Sequence, residues 1–204
     1  MIDFLLSHPE KIVSPLLDHI CLTAVTLVIS VLLAGFLTVL AAVIPVLGNI
    51  LTAFFSVVYS IPSLALFALL IPLTGLGRTT AVTVLCAYNQ YLLLGNFLAG
   101  LNEVDPGVRE AAKGIGMTAM QELFLVQVPL AKKALFAGIR LAVVSTIGIG
   151  TIAAAINAGG LGVLLFDGLR TMNTVKILWG SLLSAILAVS ANGILKWAEK
   201  GVSG

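Results

Sequence analysis

From His19 to Gly77 the chain carries no Asp, Glu, Lys or Arg, and shorter charge-free stretches follow Arg78, Arg140 and Lys176. A charge at the centre of a bilayer costs a few kcal/mol, and about 20 apolar residues cross its core. These intervals therefore mark membrane spans. With 59% hydrophobic and 10% charged residues, against about 25% charged in soluble domains, the chain has too little polar surface to face water. Backbone groups inside lipid must bond within their own segment, so the expected class is an all-α integral membrane protein. Pro45, Gly48 and Asn49 divide the longest interval. The spans are then about 19–44, 50–71, 79–100, 134–158 and 175–197, five in one transmembrane domain over 1–204. Pro62 predicts a kink or break inside the second span.

The longest segment with regular charge lies between the third and fourth spans, over residues 105–129. Asp105-Pro106 reads as a helix start, a carboxylate at the N-cap followed by proline where no N–H is needed. Ala111 and Ala112 leave a flat face, and Gly114 and Gly116 break the helix. Thr118-Ala119-Met120-Gln121 has the form of a capping box. It opens a second short helix expected to end before Pro129. The predicted object is a helix-turn-helix outside the membrane.

An odd number of spans puts the termini on opposite sides. If the central loop is cytoplasmic, that side holds Arg109, Lys113, Lys132, Lys133, Lys196 and Lys200, with Arg140 near the end of a span. The other side holds Lys11, Arg78, Arg170 and Lys176. Seven cations against four agree with the positive-inside rule, giving an outer N-terminus and a cytoplasmic C-terminus. Met1 to Lys11 has no cationic n-region, which argues against a cleaved signal peptide. The net charge of +2 does not suggest nucleic acid.

The missing chemistry is equally informative. No ionisable residue sits at depth in the predicted spans, so a proton relay has no carriers. No Gly-rich phosphate loop ending in Lys-Ser/Thr is present, so ATP is not bound here in that way. His8 and His19, the two histidines, sit at the outer N-terminal edge without metal-ligand spacing and read as interfacial or solvated. There is no nucleophile elbow and no intramembrane protease constellation. Cys21 and Cys86 lie in apolar runs and predict no disulfide framework. Energy must come from outside the chain, or transport is passive.

Polar uncharged residues at depth are the remaining candidates for a translocation path. Tyr59, Pro62 and Ser63 sit where proline frees backbone carbonyls, although Ser also favours close helix packing in membranes. Tyr88, Asn89 and Asn96, with Gln90 and Tyr91, are harder to hide from water at depth in the third span and read as pore-facing. Asn157 with Gly159, Gly160 and Gly162 reads either as a glycine turn after a helix end or as part of an outer gate.

Glu110-Ala111-Ala112, three residues, Gly116, nine residues, Val126, one residue, Val128 and Pro129 resemble the EAA loop of permease subunits of binding-protein-dependent ABC importers. Val126 and Val128 replace the more usual Ile and Leu. Ser60-Ile61-Pro62-Ser63-Leu64-Ala65-Leu66, Glu103-Val104-Asp105-Pro106 and Ala158-Gly159-Gly160-Leu161-Gly162 look like the osmoprotectant branch, which takes up glycine betaine, carnitine, choline and related quaternary amines. Members often carry a basic residue just before the Asn of the third span, where this chain has Gly95. The resemblance implies that the loop docks in a cleft of a cytoplasmic ATPase through Glu110, Ala111, Ala112, Gly116, Val126 and Pro129. It implies two ATPase copies holding ATP and Mg, a second permease copy (identical or homologous), an extracytoplasmic binding protein, and a bacterial inner membrane. No cofactor is expected on this chain, and no enzymatic activity of its own. Two rivals stay open on the residues: an importer for methionine or another small amino acid on the same scaffold, and a channel or exporter that needs no ATPase.

Overall fold

The computed structural model describes residues 9–203, and every regular element among them is helical. Asp3 and His8 lie outside the described residues. Helix α1 runs Glu10–Val43, α2 Pro45–Ser60, α3 Ser63–Thr74 and α4 Arg78–Asn102. The short α5 spans Pro106–Gly114, α6 is a long composite helix over Ala119–Ile156, α7 is Gly162–Arg170 and α8 Thr174–Ser203. Among the described residues α1, α4, α6 and α8 are each long and apolar enough to cross a membrane. The α2–α3 pair, bent by 103°, makes a fifth crossing if counted as one span.

Three expectations need correction, and one is met. The first helix starts before 19: α1 is already helical from Glu10 and carries Asp18 and His19 within it. The break expected at Pro62 is present and divides the second span into two helices. Pro62 cannot donate a backbone bond, and Ile61 before it is extended, at φ −72° and ψ 132°. Pro129 does not end the second loop helix. A wide π turn over Glu122–Gln127 precedes it, with the Val128 N–H reaching back five residues to the Leu123 carbonyl. Proline then falls in the first turn of the α segment Val128–Ile152, where its missing donor costs little. His19 is buried, not solvated. Helix α7, between the glycine turn and the last span, is an addition to the expected plan.

Helix α4 is the axis of the bundle and contacts α6, α1, α2 and α3. Its closest approach is to α6, where small residues let the backbones meet: a Cβ on Gly100 would stand 2.5 Å from that of Ala134, and one on Gly138 2.8 Å from that of Asn96. Apolar clusters stack along this axis. Leu22, Phe67, Leu85 and Ile156 pack at one end, Ala34, Leu93, Phe97 and Ala142 in the middle, and Leu101, Leu123 and Ala131 at the other end. The last cluster welds the start of α6 to the end of α4. Outward faces stay apolar, with Leu32, Phe36, Val57 and Val189 exposed, as lipid or a partner helix requires.

Candidate functional site

The loop between α4 and α6 is built almost entirely from local rules. The Asp105 carboxylate accepts the Gly107 N–H at 2.6 Å and caps α5. At the other end the Met117 N–H bonds the Ala112 carbonyl (3.1 Å) and the Gly116 N–H bonds the Lys113 carbonyl (2.9 Å). This paired closure needs a left-handed residue, and Gly116 supplies it at φ +85°. Thr118 and Gln121 then form a reciprocal capping box, at 3.3 and 2.8 Å, that starts α6.

A polar clasp holds the two arms together. The Glu122 carboxylate is buried, and one of its oxygens accepts from Arg109 Nε at 2.9 Å and from Gln127 Nε2 at 2.7 Å. Nothing in the local pattern singled out this clasp, because its partners lie 13 residues apart on different helices. Of the loop positions expected to couple, Glu110, Ala111, Gly116 and Pro129 are exposed, Val126 is half-buried and Ala112 is buried. Ile115, at 76% exposure, projects from the tip between them.

The expected path residues separate into two groups. Tyr59, Pro62 and Ser63 sit at the α2–α3 break, where the Tyr88 hydroxyl donates to the Ile61 carbonyl at 2.5 Å. Asn89 and Asn96 instead face other helices. The Asn89 amide donates to Ser30 (3.1 Å) and Thr146 (2.9 Å), tying α4 to α1 and α6. Neighbouring Gln90 donates to the Ser30 carbonyl at 3.2 Å. Asn96 returns to its own helix at Leu92 (2.7 Å), against the α6 contact at Gly138.

A groove of about 900 Å³ runs beside these residues, from α2 and α4 down to the loop. Asn49, Thr52 and Ser56 line it from α2, Tyr91 and Gly95 from α4, and Arg109 at the loop end. The first three recur at helical spacing, a polar stripe that sequence reasoning passed over because each residue alone reads as a packing residue.

At the opposite end the turn after α6 is held by α1. Asn157 is exposed and left-handed at φ +63°, and Gly159 lies against Asp18, which pairs with Arg78. His19 Nε2 bonds the Ile147 carbonyl at 3.1 Å and Nδ1 accepts the Leu161 N–H at 3.2 Å. The ring is therefore the neutral Nε2–H tautomer, assigned from its partners. Gly160, at φ +83°, leaves room for it: a Cβ there would stand 2.7 Å from Nδ1. Gly162 lets α7 close on α6, since a Cβ would meet the Thr151 carbonyl. Beyond it, the Lys176 ammonium at 2.6 Å and the Arg170 guanidinium at 3.2 Å hold the Asp167 carboxyl below its usual range.

Both cysteines are free thiols. Among the described residues no group of three His, Cys, Asp or Glu could hold a metal.

Comparison with known proteins gives a consistent answer. Residues 27–204 match the family described as binding-protein-dependent transport system inner membrane component. The osmoprotectant import permease protein OsmW of Salmonella typhimurium is 35% identical, over 96% of this chain and 92% of its own length. The glycine betaine/carnitine/choline transport system permease protein OpuCB of Bacillus subtilis is 31% identical, over 100% and 94%. Among solved structures, a chain of the MetNI methionine ABC transporter in an inward-facing conformation superposes with a TM-score of 0.87, at 19% identity, over 97% of this chain and 99% of that one. That likeness speaks for the fold alone.

Proposed function

The chain belongs to the inner-membrane components of binding-protein-dependent transport systems, and on that premise we propose that its cargo is a small compatible solute with a quaternary ammonium group, such as glycine betaine, carnitine or choline. It is the permease subunit of an ABC importer. The observation that carries the cargo is near-full-length similarity to permeases named for osmoprotectant and for glycine betaine, carnitine and choline transport.

In this reading the whole chain is one transmembrane domain with five crossings: α1, the bent α2–α3 pair, α4, α6 and α8. The N-terminus is outside and the C-terminus cytoplasmic, in the inner membrane of a bacterium. Two permease copies enclose the path, and an extracytoplasmic binding protein selects and delivers the solute. Each copy docks one cytoplasmic ATPase through residues 105–129, with ATP and Mg on that partner. Glu110, Ala111, Ile115 and Gly116 form the outward contact surface. The clasp at Glu122 and the Leu101–Leu123–Ala131 cluster make the loop a rigid lever on α4 and α6. Closure of the ATPases moves that lever. The α2–α3 hinge beside Tyr59, Pro62 and Ser63 and the turn at Asn157, Gly159, Gly160 and Gly162 answer as inner path and outer gate.

The test is reconstitution in proteoliposomes with the cognate ATPase and binding protein. Uptake of glycine betaine, carnitine or choline that requires ATP is expected. Glu110→Lys and Gly116→Val should each abolish solute-stimulated ATP hydrolysis while the complex still assembles. Import of methionine or another amino acid instead would overturn the cargo, and passage without the ATPase would reveal a channel. Normal uptake by both variants would sink the role of the loop.

A further inference from the structure

Three tyrosines from two helices converge at the α2–α3 bend. The Tyr59 and Tyr91 rings stack with centroids 4.7 Å apart and planes inclined by 27°. Tyr88 meets Tyr59 edge-on, at 5.6 Å and 82°. Their surroundings differ. Tyr88 is buried, and its hydroxyl is committed to the Ile61 carbonyl beside the proline break, so it braces the hinge. Tyr59 is 37% exposed, and Tyr91 lines the groove.

One helical turn beyond Tyr91, Gly95 also lines the groove, and a Cβ built on it finds nothing within 4 Å. The groove is therefore open at position 95. Charge in this groove is confined to the loop end, at Arg109, Lys113 and Glu122. Along α2 the lining is uncharged, with Asn49, Thr52 and Ser56 leading up to the tyrosines.

A permanently charged ammonium beside Tyr91 in this groove meets no carboxylate at this level. Aromatic faces are the groups here that attract a cation electrostatically, and they do so best where water is excluded. A quaternary head offers no N–H, so hydroxyls and amides serve it poorly. Weak attraction also suits a path, because a solute held tightly would not leave.

We propose that the groove-facing side of the Tyr91 ring, backed by the stacked Tyr59 ring and braced by Tyr88, forms a cation–π station for the trimethylammonium head of the cargo. The station rests on the quaternary-amine reading above. It adds a binding site within the membrane-spanning subunit, distinct from the docking loop.

The experiment measures binding of choline to the purified permease–ATPase complex without its binding protein, by saturation-transfer NMR on the choline methyl protons. The control ligand is the uncharged carbon isostere, with a tert-butyl group in place of trimethylammonium. Binding of choline in preference to the isostere is expected. Tyr59→Leu/Tyr91→Leu should weaken choline binding by about five- to thirty-fold, the worth of one cation–π contact, and leave the isostere unchanged. Tyr59→Phe/Tyr91→Phe keeps the rings and should bind choline within about twofold of wild type. Because Leu at the hinge could impair folding, each variant is also scored for assembly and basal ATP hydrolysis, and the wild-type comparison of choline with its isostere carries the test if the Leu pair fails to assemble. Equal binding of choline and isostere to wild type, equal choline binding by the Leu pair, or loss with Phe as large as with Leu would each overturn the station. Wild-type uptake in proteoliposomes separates this outcome from failure of the cargo reading. Import of quaternary amines with no choline site at the tyrosines refutes the station alone.

Discussion

Glu122 offers the sharpest test of the loop as a rigid body. Its side chain is 5% exposed and that of Arg109 is 37% exposed. Glu122→Ala deletes one charge-assisted bond from Arg109 and one from the Gln127 amide, leaving that amide buried without its acceptor. Bonds to charged groups are worth about 1.5–3 kcal/mol each, and breaking a buried ion pair costs about 3–5. Water can reach Arg109, so its share falls toward the lower end. The expected net cost of opening the clasp is about 2–3 kcal/mol, or roughly a 30- to 150-fold rise in the undocked loop. Glu122→Gln still accepts from Arg109 without the charge and should cost about 1 kcal/mol. Hydrogen exchange of amides 107–121 in the assembled transporter reads the opening directly, and solute imported per ATP reads its consequence. Faster exchange with a lower transport ratio is expected, ordered Ala above Gln above wild type. In the double-mutant cycle with Arg109→Ala, the combined effect should fall short of the sum by about 1–2 kcal/mol. Exchange within twofold of wild type in Glu122→Ala, or strict additivity in the cycle, would show that the pair does not join the two arms.

Three further outcomes follow from the packing at the opposite end. Gly162→Ala drives a Cβ into the Thr151 carbonyl oxygen, a backbone atom that no rotamer change relieves. It should lower stability by about 1–3 kcal/mol or more in thermal melts of the purified complex. Gly148→Ala, with nothing within 4 Å, should melt as wild type or slightly higher, and equal losses in both would refute the packing argument. His19→Phe strips the buried Leu161 N–H of its acceptor and should cost about 1–3 kcal/mol in the same melts. His19→Asn, whose amide oxygen can stand near the Nδ1 position, should recover part of that, and a Phe variant as stable as wild type would contradict the latch. Asp167 has its folded pKa depressed by Lys176 first and Arg170 second. Its pairing is therefore fully present above the ordinary carboxylate pKa of about 3.9 and is lost as pH falls below it, through the lower folded value. Exchange at residues 167–176 should be flat in protection from pH 7 to 5 and weaken below about 4, whereas Asp167→Asn should be weakened throughout.

The parts of the fold that follow local chemistry were legible in advance. Asp105 caps α5, Gly116 adopts the left-handed turn, Thr118 and Gln121 close their box, and the chain breaks at Pro62. Each involves residues within five positions of one another, so backbone geometry alone decides it. Pro129 misled because the rule for proline holds in a regular α-helix, and the π turn before it changes the register of the carbonyls it would strike. His19 read as interfacial because a polar side chain near a span end usually is. Its socket comes from Gly150, Gly160 and the Leu161 N–H, more than a hundred residues away.

Asn89 and the stripe Asn49–Thr52–Ser56 mark the same boundary. In a membrane chain, a polar residue at depth must face either another helix or a wet path, and its letter is the same in both cases. Composition and charge spacing settled that this chain is a helical membrane protein, and the matched loop positions pointed to a permease driven from outside. Which polar groups knit helices and which line the groove was decided by how α1, α4 and α6 pack, because burial is a property of neighbours. The clasp at Glu122, the socket of His19 and the meeting of Tyr59 with Tyr91 belong to that second kind: each exists through contacts between separate helices that no run of sequence displays.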